Sequence, residues 1–145
     1  MDARKKINLI EKYRYELSSS TNEDDFPLYD SDDGEANAYI SVYMGDNFFF
    51  GINGFEKNEE KASTFYEHAA DKGNAYAQYK AGLLNAVLGM EADDDIQMTY
   101  GIKYLCQSYQ NKHPQSFEAL EAFIKCNYFP FDSVDELVEF IDENS

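Results

Sequence analysis

The chain has 145 residues, 43% of them apolar and 16% aromatic, which suits one globular domain with a single core and leaves no room for two lobes. Its formal net charge is −16, with 28 acidic residues against 12 basic ones. That balance argues against direct binding to nucleic acid or to an anionic membrane, since both need clustered Lys and Arg.

The charge is unevenly placed. Residues 1–17 carry Arg4, Lys5, Lys6, Lys12 and Arg14 against Asp2, Glu11 and Glu16. From Ser18 to Ala36 there are seven acids and no base, and after Lys125 six acids and no base. A third cluster is Glu91, Asp93, Asp94 and Asp95. The two cysteines, Cys106 and Cys126, suggest neither a disulfide framework nor a zinc site. The basic start runs into Ile7–Lys12 with no sustained apolar stretch, so no secretory signal is expected, and no segment reaches membrane-spanning length. A cytoplasmic protein with reduced thiols is the expectation.

In chain order, Ala3, Ile7, Ile10 and Leu17 recur at helical spacing and predict a first helix over 2–17. Residues 18–34 have the Ser, Asn, Pro and Gly content of a loop, and Phe26, Leu28 and Tyr29 are expected to dock it on the body. A second helix is predicted over 35–50, ending in Phe48-Phe49-Phe50-Gly51. A third starts after the N-cap Asn58, carries Ala62, Phe65, Tyr66, Ala69 and Ala70, and ends at Gly73. A fourth runs from Ala75 to Leu88 and stops at Gly89. A fifth starts near Asp95 with Ile96, Tyr100, Ile102, Leu105, Cys106 and Tyr109 on its apolar stripe. A sixth opens at Pro114, in a first turn that tolerates proline, and carries Phe117, Leu120, Phe123 and Ile124. The capping-box pattern Ser133-Val134-Asp135-Glu136 opens the last helix, with Leu137, Val138, Phe140 and Ile141.

The chain repeats itself at an offset of 39, since 77 − 38 = 39 carries Ala38 onto Ala77; the same offset carries Asn74 onto His113 and Tyr43 onto Gly82. The stretch Phe65–Leu84, with Ala69-Ala70-Asp71-Lys72-Gly73-Asn74 followed by Ala77, Tyr79 and Gly82, resembles the junction of Sel-one-like repeats, relatives of the tetratricopeptide repeat. The match is closest over 62–89 and extends over 36–61 and 90–124. Lys112 replaces the usual glycine at the second junction, Tyr43 stands at the position of Gly82, and the Glu91–Asp95 loop looks longer than the family's. The resemblance implies an all-α fold of two antiparallel helix-pair repeats with capping terminal helices. The whole chain, 1–145, would be one domain, with 1–34 as N-terminal helix and acidic loop, 35–124 as two repeats plus the start of a third, and 125–145 as cap.

No constellation in the sequence suits catalysis, because His68 and His113 lie in no nucleophile motif. Asp30-Ser31-Asp32-Asp33-Gly34 lacks the glutamate that completes a calcium loop. No catalytic residue, cofactor or metal is therefore expected. Helix-pair repeats bind partners on the exposed face of the first helix in each pair. Here that face would present Tyr39, Tyr43, Asp46, Tyr76, Gln78 and Asn85, and the acidic cluster Asp93, Asp94 and Asp95 would add charge. The functional expectation is a protein-binding module with a basic partner: an immunity protein or antitoxin that masks a toxin domain such as a nuclease. A scaffold or adaptor that holds a peptide or partner helix is the alternative.

Overall fold

A computed structural model describes residues 3–19, 33–126 and 129–144, with backbone alone for 33–37. All regular structure among them is helical. The helices are α1 (Ala3–Ser19), α2 (Asp33–Phe50), α3 (Glu59–Ala70), α4 (Ala75–Ala92), α5 (Asp95–Gln110), α6 (Ser116–Lys125) and α7 (Val134–Glu143). Short connections make successive helices antiparallel, so α2 packs on α3, and α4 packs on both α3 and α5. The basic helix α1 returns across α4. The proposed docking of Phe26, Leu28 and Tyr29, and most of the Asp30–Gly34 motif, lie outside the described residues.

The caps explain most boundaries. Asn58 accepts a hydrogen bond from Lys61 N at 3.0 Å, and Asn74 from Ala77 N at 2.8 Å. Each satisfies a backbone donor that a helix start leaves unpaired. Ser133 accepts from Glu136 N at 3.2 Å, but the Glu136 carboxylate returns to Asp132 N and not to Ser133 N. Pro114 lies in the turn before α6, which begins two residues later at Ser116. Helix α3 ends at Ala70, and Gly73 supplies the left-handed turn that follows, at φ +91°.

One boundary moves for a packing reason. Helix α4 does not stop at Gly89; it continues to Ala92, and Asp93 takes the left-handed cap at φ +53°. Gly89 serves close approach instead, since a Cβ built there would stand 2.5 Å from Met98 N on α5. The connection between α4 and α5 is then only Asp93 and Asp94, shorter than the sequence suggested. Gly82 does leave room for the crossing helix: its Cβ would meet Leu105 Cγ at 2.7 Å. In the first pair that duty shifts from position 43 to Gly45, whose Cβ would fall 2.6 Å from the Tyr66 ring.

The repeat survives in the backbone where the sequence breaks it. Lys112, one repeat after Gly73, adopts φ +67°. A non-glycine residue there costs about 1–2 kcal/mol, while glycine raises the entropy of the unfolded chain. Lys112→Gly is therefore expected to stabilise the protein by about 0.5–1 kcal/mol in urea unfolding. An unchanged or lowered midpoint would show that the lysine side chain compensates.

Candidate interaction surface

Helix α4 is the centre of the molecule, with fourteen of its eighteen residues buried. It therefore has no free face, and this corrects the expectation for four of the candidate residues. Asp46 on α2 and Tyr76, Gln78 and Asn85 on α4 are buried, the least so being 7% exposed. The polar atoms of Asp46, Gln78 and Asn85 bind inside the fold. Asp46 accepts from the Tyr66 hydroxyl at 2.5 Å. Gln78 donates to Ala70 O and accepts from Asn111, tying one junction to the next. Asn85 donates to Ala81 O at 2.9 Å. Tyr39 and Tyr43 are exposed on α2, and the Tyr43 hydroxyl accepts from Asn53 at 3.3 Å.

Lys80, which the sequence reading passed over, is wholly buried in α4. Its ammonium lies 5.3–6.0 Å from the ring centres of Phe49, Phe50, Tyr66 and Tyr76, and donates to the carbonyl of Leu17 at 3.2 Å. That carbonyl belongs to the last turn of α1, the electronegative end of the helix, so the cation holds α1 in place. The detectable signal was a lone charge in the apolar run Ala75–Leu88.

His68 is exposed, and His113 stacks on Tyr79 at 4.4 Å between ring centres. Cys106 is buried and Cys126 half-buried, and both are free thiols. Burial pushes the Cys106 thiol up from 9.0 to about 12. The Tyr13, Tyr66 and Tyr104 phenols also lie above the ordinary 10.0, again chiefly through burial. Unfolding would return these groups to their ordinary ranges, so above pH 9 the unfolded chain loses protons that the folded chain keeps. These groups thus leave stability unchanged below about pH 9 and lower it as pH rises beyond that. Alkaline titration should show cooperative loss of helical circular dichroism together with the appearance of tyrosinate absorbance. Ionisation of Tyr13, Tyr66 and Tyr104 near pH 10 in an intact fold would contradict this.

The three aspartates at the α4–α5 turn are exposed, and two of them have structural duties. Asp93 caps α4 and pairs with Lys6 of α1; Asp94 caps α5, accepting from Gln97 N at 3.0 Å. Asp95 follows in the first turn of α5. The Arg14 guanidinium spans Glu59 and Glu91, and Lys12 lies 3.5 Å from Glu118. The basic helix is thus seated on an acidic body by ion pairs along its length.

A groove of about 540 Å³ runs between α5 and α7. Ile96, Gln97, Thr99, Tyr100 and Lys103 line one wall, with Phe140, Ile141 and Asn144 on the other. Ile96 and Phe140, expected on buried stripes, are 85% and 47% exposed. The side of α5 that meets α4 carries Met98, Gly101, Ile102 and Leu105 instead, and this turns Ile96 and Tyr100 outward. Exposed carboxylates flank the groove in sequence: Asp95 precedes Ile96, and Glu139 and Glu143 bracket Phe140. At one edge the Tyr100 hydroxyl meets that of Tyr104 at 3.1 Å, and Tyr104 donates to Asp71 at 2.8 Å.

Among the described residues no group of three or more His, Cys, Asp or Glu is placed to hold a metal ion, and no helix is long and apolar enough to cross a membrane. Comparison with protein-family models, curated protein sequences and solved structures finds no significant match.

Proposed function

We propose that this chain is a cytoplasmic protein-binding module of the Sel-one-like kind, an immunity protein or antitoxin that holds a basic toxin domain such as a nuclease. The observation that carries this reading is the apolar groove between α5 and α7 with carboxylates beside it. An apolar centre with a charged rim is the anatomy of a specific protein interface. A surplus of sixteen negative charges steers a basic partner toward the molecule and repels nucleic acid, the toxin's own substrate.

The test is to mix the chain with candidate basic toxin domains, nucleases first. A complex should form, toxin activity should be lost, and the association rate should fall roughly tenfold or more from low to physiological salt. Neither complex nor inhibition would remove the reading. An adaptor role draws its support from the other exposed patch, Tyr39, Ile40 and Tyr43 on α2. Charge reversal is best made at Asp95 and Glu143, because the Asp94 side chain caps α5, and Asp93 holds a left-handed backbone and pairs with Lys6.

A further inference from the structure

We propose that the α5–α7 groove recognises a partner helix by one arginine placed one turn from an apolar anchor; this rests on the protein-binding reading above. Ile96 and Tyr100 are one turn apart on α5, so complementary groups on a docked helix stand one turn apart as well. Ile96, Phe140 and Ile141 form the apolar end, which takes a Leu-sized side chain. At the other end the exposed Tyr100 ring offers a face for a flat cation, and the hydroxyls of Tyr100 and Tyr104 lead to the carboxylate of Asp71.

A guanidinium satisfies both features at once, since it stacks on an aromatic face and sends several donors to acceptors at its edge. A lysine ammonium is also drawn to an aromatic face, but it is compact and strongly hydrated, cannot stack flat, and lacks the rigid fork of donors. Lys103, in the same groove, repels a second cation, so the segment that fits carries one arginine and not a polybasic run. The molecule already treats a guanidinium this way: Arg14 of the basic helix α1 lies between two carboxylates of the body. A second copy of the chain is the poorer occupant, because it brings the same sixteen negative charges to the same rim.

The experiment uses the full chain, isotopically labelled, and a capped helical peptide with Leu and Arg four residues apart on an Ala/Gln background. Backbone amide shifts should move along 96–104, 140–144 and at Asp71. Replacing the peptide's Arg by citrulline should weaken binding about tenfold, and replacing it by Lys several-fold, about three or more. Asp71→Asn, at an exposed position, should weaken the Arg peptide and leave the citrulline peptide unchanged, while Tyr100→Ala should weaken the Arg peptide more than the citrulline peptide, with helical content retained in both variants. Equal affinity for Arg and citrulline, or shifts confined to Tyr39 and Tyr43, would overturn the proposal. So would self-association in sedimentation that Ile96→Asp abolishes, because the occupant would then be a second copy. A toxin domain that binds the chain while Ile96→Asp and Tyr100→Ala leave its affinity unaltered would also end it, yet leave the protein-binding reading standing.

Discussion

Gly101→Ala should destabilise the protein by about 2–3 kcal/mol, although alanine is the better helix former by about 1 kcal/mol. A Cβ at Gly101 would stand 2.5 Å from Ala86 N and 2.6 Å from Gly82 O, both backbone atoms of α4. Neither can swing aside as a side-chain tip would, so the two helices must separate. The separation would disrupt the tightest crossing in the molecule, where Gly82 and Gly89 also leave no room for a Cβ. Urea unfolding checks the magnitude, with Thr99→Ala as control: it lies on the exposed side of the same helix and should be neutral or slightly stabilising. A stabilised Gly101→Ala protein would mean that α4 and α5 lie further apart than described.

The second large effect is expected at Lys80. Lys80→Ala removes the hydrogen bond to Leu17 O, the cation above four rings and the volume of a wholly buried side chain. A loss of about 4 kcal/mol follows, at the upper end of what cavity formation and a lost charged hydrogen bond cost. Lys80→Met restores most of the volume and isolates the charge, and should cost about half as much. In both variants the damage should concentrate on α1, since Leu9, Tyr13 and Leu17 dock it beside the caged ammonium. Hydrogen exchange is the direct readout: amides of α1 should lose protection before those of α4 and α5. Uniform loss across the bundle would show that Lys80 fills space and does not anchor the helix.

The fold was legible where local chemistry decides it. Asn58 and Ser133 announced helix starts, and the alanine pair and Gly73 marked the junction between pairs. The boundary at Gly89 was misread because glycine has two uses, ending a helix or admitting a neighbour, and only the position of Met98 separates them. The interaction surface was less legible. The repeat resemblance placed Tyr76, Gln78 and Asn85 on an exposed face of α4, but whether a face meets water depends on how α1, α3 and α5 pack around it. The same limit hid the outward turn of Ile96 and Phe140, two apolar residues that continue buried stripes in sequence. The exposure of Ile96 follows from the glycine-rich contact that fixes which side of α5 faces α4.

The central claim is that a basic protein partner docks on the acid-flanked groove between α5 and α7. Hydrogen-exchange protection of the full chain, measured free and with a basic toxin domain bound, tests it most directly. The account predicts new protection in residues 96–104 and 137–144, with little change on α2. Protection confined to the Tyr39–Tyr43 side of α2, with α5 and α7 unchanged, would contradict it.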